Sequence, residues 1–276
     1  MHSTLYSRRA FRRFSSSKYS RNFVLKGWHF IYALTHFKSR PTVDIDFLLR
    51  DLSSDLDHLD KVMAEILGIP TGYNEVVMLN VKRSRRISLQ REYPGVSVQI
   101  TGQIKNVRVL FDVDVGIGDV ISPTTEKRFL PTQLEGYSTP EIFTYSLEST
   151  IAEKLDAILQ RFELTSRMKD FYDIYQLSVM FDFEGKVLCE AILQTLVYRR
   201  THFDADSLDR IQKLSFDGEM LIKWRYFLRT IQRQELLFPD VIQSIVIFLH
   251  PIWAAITNDC DMLETWDCKN RMWIRN

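Results

Sequence analysis

Cysteine is scarce in this sequence. Cys189, Cys260 and Cys268 are the only three in 276 residues, and they form neither a close CxxC pair nor a secreted-framework spacing. A disulfide scaffold and a cysteine-based zinc site are therefore unsupported, and free thiols in a reducing, cytoplasmic compartment are expected. Long apolar runs are also missing. The longest candidate, Val241 to Leu249, is broken by Gln243 and Ser244 and falls short of the roughly 18 residues that a membrane span needs, so no membrane partner is expected. Net charge is nearly absent, with 36 Lys and Arg against 35 Asp and Glu. That balance argues against a generally basic nucleic-acid binder. Internal repeats and low-complexity tracts are lacking as well. What is present, 45% apolar and 26% charged residues, suits one large globular domain or two small ones.

One local absence changes the meaning of the overall charge. From Met1 to Val43 there are nine basic residues and no acid: Arg8, Arg9, Arg12, Arg13, Lys18, Arg21, Lys26, Lys38 and Arg40. The first carboxylates are Asp44 and Asp46. The Arg- and Ser-rich opening has the composition of a transit peptide. It lacks a long apolar face and a spacer before the first motif, so the preferred reading is a basic amphipathic helix in which Leu5, Phe11, Phe14 and Tyr19 anchor among solvated arginines.

Periodicity separates two halves. Between Arg21 and about Pro131, a helix over Gly27 to Phe37, a strand over Thr42 to Leu48 and a helix over Ser54 to Leu67 precede strands near Ile87 to Leu89, Val96 to Thr101 and Val107 to Val115. From Ser146 the spacing turns helical, with Ile151, Leu155, Ile158, Leu159 and Phe162 on one stripe and further helices over Glu219 to Ile231 and Val241 to Leu249. The connector Phe129 to Pro140, with Pro131, Gly136 and Pro140, marks the boundary. The fold class is α+β, with a mixed β-sheet domain and flanking helices over 1–135 followed by an α-helical domain over 136–276.

The chemistry-bearing residues gather in five segments. In Thr42 to Leu48, alternation puts Asp44 and Asp46 on the face opposite Val43, Ile45 and Phe47, roughly 7 Å apart. Such a pair can hold a hard cation, or be solvated aspartates on a half-exposed strand. Upstream, Phe23 to Leu25 reads as a buried strand, and Lys26-Gly27 opens a helix where backbone amides can approach a phosphate. Downstream, Asp112 and Asp114 lie on the face opposite Val109, Phe111 and Val113. They offer a third carboxylate for a metal or a base, or else enter a turn before Gly116 and Gly118. In the helical half, Lys154 sits about 60° from Ile151 on the wheel, either snorkelling or offering a cation to a triphosphate. Asp170 and Asp173 are i, i+3 neighbours, and Lys169 can pair with Asp173 at i+4 on a solvated face. Two further clusters are less specific. Lys82, Arg83, Arg85 and Arg86 with Arg91 form a basic segment suited to phosphate or to a hairpin tip. The six histidines show no ligand spacing, and His29 reads as an exposed helix-start residue.

Five ordered segments resemble the nucleotidyltransferase AbiEii toxin family. They are Phe23-Val-Leu-Lys-Gly27, Arg40-Pro-Thr-Val-Asp44-Ile-Asp46-Phe47, Asp112-Val-Asp114-Val-Gly-Ile-Gly-Asp119-Val-Ile-Ser-Pro123, Tyr145-Ser-Leu-Glu-Ser-Thr-Ile-Ala-Glu-Lys154-Leu, and Ser166-Arg-Met-Lys-Asp170-Phe-Tyr-Asp173. The likeness runs from about Phe14 to Trp253. It implies a DNA polymerase β-type nucleotidyltransferase with an added helical domain, serving as the toxin of a type IV toxin–antitoxin or abortive-infection system. Some members of the family extend tRNA acceptor ends. It further implies that Asp44, Asp46 and Asp114 bind Mg²⁺ or Mn²⁺, and that Asp170 and Asp173 complete the catalytic set with Lys154. Lys26, Gly27, Lys154 and Lys169 would contact the NTP. An RNA or tRNA 3′ end is the implied acceptor, and an antitoxin of transcriptional-regulator type the implied partner. Two positions depart from the family. Trp28 stands where a small residue normally follows Lys-Gly, which predicts crowding of the phosphate loop or a binding-only protein. The short stretch before the first motif predicts that the family's N-terminal helix is shortened or absent.

Overall fold

The computed structural model of the chain describes residues 2–35, 39–40, 42, 44–70, 72, 77–87, 95–118, 121, 123–131, 139–233 and 235–275. It divides into two units, Met1–Asp119 with Thr125–Tyr145, and Ser146–Asn276 with Val120–Thr124. The division therefore follows Tyr145 rather than residue 135. The physical reason is sheet pairing, which retains the last strand before Tyr145 in the first unit.

The first unit contains α1 (His2–Ser16), β1 (Phe23–Lys26), α2 (Trp28–Leu34), β2 (Ile45–Leu49), α3 (Leu56–Leu67), β3 (Val77–Ile87), β4 (Gly95–Ile104), β5 (Val107–Ile117), β6 (Glu126–Phe129) and β7 (Glu141–Thr144). Seven strands form one mixed sheet in the order β3-β4-β5-β2-β1-β7-β6. Strand alternation gives it two chemically distinct faces. Phe23, Leu25, Ile45, Phe47, Val96, Val98, Ile100, Val113 and Val115 are buried on one of them. Helix α1 covers that face because Tyr6, Ala10 and Phe14 recur every fourth residue and Phe11 widens the stripe. The Phe14 ring lies 4.5 Å from that of Phe47 and 5.1 Å from that of Phe23. Asp55 starts α3 by accepting the His58 N–H at 3.1 Å.

Several sequence expectations change here. A helix does precede the first motif, so its expected absence is corrected: α1 (His2–Ser16) supplies core aromatics. Its arginines are not a solvated fringe, because Arg9, Arg12 and Arg13 are only 6%, 8% and 5% exposed. The Arg13 guanidinium donates to the carbonyls of Leu67 and, at 2.9 Å, Val77. It thereby serves one of the carbonyls that the end of α3 leaves without an intrahelical donor. His29 is buried with its ring edge-on to Phe11 at 4.9 Å, not exposed. The basic segment Lys82 to Arg86 lies within β3, an edge strand, rather than at a hairpin tip. Arg91, residues 88–89 and the middle of the expected connector lie outside the described residues.

The second unit comprises α4 (Leu147–Leu159), α5 (Met168–Met180), β8 (Phe183–Glu184), α6 (Gly185–Tyr198), α7 (Ser207–Lys213), α8 (Gly218–Thr230), α9 (Phe238–Thr257), β9 (Glu264–Asp267) and β10 (Met272–Arg275). Ser146 caps α4 through the Ser149 N–H at 2.9 Å. Helix α9 continues beyond the expected Val241 to Leu249 on both sides. It is long and apolar enough to span a membrane by composition, yet Ile242, Ile245, Phe248, Leu249 and Ile252 are buried against the unit's other elements. The half expected to be purely helical also holds a small antiparallel sheet, β10-β9-β8. Trp266 of that sheet donates its indole N–H to the Ser178 carbonyl at 2.6 Å. All three cysteines are free thiols.

Candidate active site

The polar face of the large sheet is built by register. Lys26 is the cross-strand partner of Asp46, Asp46 of Asp114, Asp114 of Ser97, and Ser97 of Arg85. Directly paired residues point to the same side, so β1, β2, β5, β4 and β3 carry one continuous polar row. Asp46 and Asp114 occupy neighbouring strands about 4.8 Å apart, and both are half-buried. The parallel row holds Asp112, whose carboxylate accepts the Gln99 amide N–H at 3.1 Å, and Arg83 across from Gln99. Asp114 is three residues from the end of β5 and paired on both sides, which removes the turn-entry reading of Asp112 and Asp114. Asp44 sits just before β2, exposed, with its N–H donated to the Thr42 hydroxyl at 3.3 Å. Val43 lies outside the described residues.

Gly27 makes the row possible. Its φ is +73°, a conformation that glycine adopts without steric cost. A Cβ there would lie 2.5 Å from the Asp46 Oδ2. The backbone thus closes onto the carboxylate, and any larger residue would push that oxygen away. Lys26 turns its ammonium over the Tyr145 ring at 5.6 Å and toward Gly116. Trp28, the departure from the family, is buried. Its indole N–H donates to the Arg40 carbonyl at 3.0 Å, and the Arg40 guanidinium covers the ring at 4.9 Å. Its bulk therefore serves as an anchor for the chain entering β2.

In the second unit the predicted residues form an ion-pair cluster. Asp170 and Asp173 are completely buried, against the expectation of a solvated face. Lys154 approaches Asp173 at 2.6 Å and Asp170 at 3.5 Å, and Arg167 approaches Asp170 at 2.7 Å. Two cations meet two anions, as burial of carboxylates demands. Asp173 takes Lys154 of α4 as its partner rather than Lys169 of its own helix. Lys169 is half-buried at the start of α5. A neighbouring cluster escaped the sequence reading. Buried Asp156 accepts Arg199 at 2.9 Å, Gln160 at 3.2 Å and the Thr201 hydroxyl, while Arg199 also reaches Glu153 at 2.9 Å. Its components are 45 residues apart in the chain, so no local spacing could have shown it.

Among the described residues, no three His, Cys, Asp or Glu side chains gather around one point. The sheet offers instead two carboxylates in one row beside a glycine cradle. That arrangement fits Mg²⁺, which is held by one or two protein carboxylates together with waters and substrate phosphates rather than by a closed protein cage.

No curated protein matches the sequence. Among solved structures, JHP933 from Helicobacter pylori aligns over 94% of this chain and 93% of its own at 13% identity, with a TM-score of 0.50. A second H. pylori structure, ascribed to a nucleotidyltransferase, aligns over 94% of both chains at 14% identity with a TM-score of 0.41. At these identities the first likeness bears on the fold alone. The family model for the nucleotidyl transferase AbiEii toxin of type IV toxin–antitoxin systems matches residues 9–245. With a match over most of its length, the chain belongs to the AbiEii toxin family and is a nucleotidyltransferase.

Proposed function

We propose that the enzyme transfers NMP from an NTP to the 3′ hydroxyl of an RNA, tRNA in particular, and that this is its activity as a toxin. The observation that carries the reading is the register Lys26–Asp46–Asp114 beside Gly27. Asp46 and Asp114, with Asp44 at the entrance to β2, would hold Mg²⁺ or Mn²⁺. A cation there neutralises triphosphate charge and orients the phosphates for in-line displacement. The acceptor oxygen forms a bond to the α-phosphorus, the bond from that phosphorus to the bridging oxygen breaks, and pyrophosphate leaves. Asp114 is assigned to take the hydroxyl proton. Lys26 is assigned to phosphate, whereas Lys154 is held by Asp170 and Asp173 within the helical unit. Arg83 and Arg85 share the carboxylate side of the sheet and are the exposed cations best placed for acceptor phosphates, now that Arg9, Arg12 and Arg13 are committed to the core. A reducing, cytoplasmic setting and a cognate antitoxin of transcriptional-regulator type complete the proposal.

Purified protein incubated with Mg²⁺, labelled NTPs and total tRNA tests it. Label should enter the tRNA fraction, and Asp44→Ala/Asp46→Ala should abolish incorporation, as should EDTA. Label outside the RNA fraction would move the acceptor to a small molecule or protein hydroxyl. Equal incorporation by the double variant would refute the assigned site.

A further inference from the structure

The helical unit carries a cleft of about 670 Å³ whose walls come from α5 and from the end of α8 with the turn that follows it. We propose that this cleft binds a nucleotide of single-stranded RNA, an inference that rests on RNA being the acceptor. On the α5 wall, Tyr172 and Tyr175 are one turn apart, with Tyr172 buried and Tyr175 partly open. On the other wall stand Arg229 and Arg233, both exposed. Among the described residues neither takes part in an ion pair. From Ile222 to Arg233 there are four basic residues (Lys223, Arg225, Arg229 and Arg233) and no acid, with exposed Tyr226 among them. A partly open aromatic, Tyr175, beside two exposed guanidiniums is the composition that holds a base and its phosphate without reading sequence.

The walls are also fixed in place. Gln232 adopts φ 56°, and the Arg233 N–H returns to the Leu228 carbonyl at 2.9 Å, the closure that ends a helix in a left-handed residue. That reversal brings Arg233 back beside Arg229. The Trp224 indole donates to the Leu236 carbonyl at 2.8 Å and lies 5.2 Å from the Phe238 ring, which ties the turn to the core. Glu235 and Gln176 in the lining add an acceptor and a mixed donor–acceptor for a base edge.

The test is fluorescence anisotropy of the full chain with a labelled single-stranded RNA oligonucleotide, over about 50 to 200 mM salt. Tyr175→Ala should weaken binding about 5- to 150-fold. Arg229→Ala/Arg233→Ala should weaken it and reduce the salt slope by about 0.7 per arginine. Glu65→Ala, at an exposed position outside both sites, should bind like wild type, and circular dichroism should show every variant folded. Unchanged binding by both cleft variants would overturn the proposal and leave the RNA acceptor standing. Absence of RNA binding in wild type would overturn the acceptor and this inference together. Loss of free NTP binding, with RNA binding intact, would assign the cleft to free nucleotide and also overturn it.

Discussion

The chain holds two sets of paired carboxylates, and they are used in opposite ways. Asp170 and Asp173 are wholly buried, and Lys154 and Arg167 neutralise them within the helical unit. Asp46 and Asp114 are half-buried direct partners on adjacent strands, where like charges repel in the absence of a ligand. The first set satisfies itself and stabilises a helix pair. The second sits on the polar side of the sheet with Lys26 across from Asp46, where two carboxylates and a lysine share one row beside Gly27. The arginines divide similarly. Arg13 is bound to main-chain carbonyls, whereas Arg229 and Arg233 face a cleft.

Substitutions can break this contrast. The largest effect is expected for Asp46→Asn/Asp114→Asn. Nucleotidyl transfer should fall about 10³-fold or more, while urea denaturation should show stability changed by no more than about 1 kcal/mol, because the repulsion lost between the carboxylates is offset by the attraction lost to Lys26. A larger loss of stability would make this pair structural. Next, Asp173→Ala should destabilise the fold by about 3–5 kcal/mol, because it leaves the Lys154 charge in a site only 12% exposed. A stable but inactive Asp173→Ala would put the helical pair among the catalytic groups. Arg13→Ala should cost about 2–3 kcal/mol through two orphaned carbonyls, with RNA affinity per folded molecule unchanged. Gly27→Ala should cost about 1–3 kcal/mol and displace the Asp46 carboxylate, so its activity should fall more than its stability. Glu65→Ala, which removes the exposed pair with Lys18 at 2.9 Å, should change nothing measurable.

Much of the sheet domain was legible because strand alternation is local. Val109 to Val115 and Ile45 to Phe47 show which side of each strand is apolar, and from that the side on which Asp46 and Asp114 lie. Charge was far less legible. The N-terminal arginines looked solvated, since nothing near them in the sequence shows that Leu67 and Val77 offer carbonyls needing donors. Asp170 and Asp173 looked solvated because their neutralising partner, Lys154, lies a helix away. The three-stranded sheet in the helical unit escaped for the same reason: β8 is a two-residue strand whose partners come some eighty residues later.

The sequence by itself determined the two halves, the carboxylate-bearing strands, the glycine at the mouth of α2 and the family to which these belong. Periodicity and short motifs are properties of neighbouring residues, and they survive whatever the rest of the chain does. Only the tertiary structure decided which charges are spent inside the fold and which remain for a ligand. That choice depends on where each charge finds its counter-charge or carbonyl. Desolvation makes an unpartnered buried charge too unfavourable to persist, and the partners are brought together across tens of residues by sheet register and helix packing.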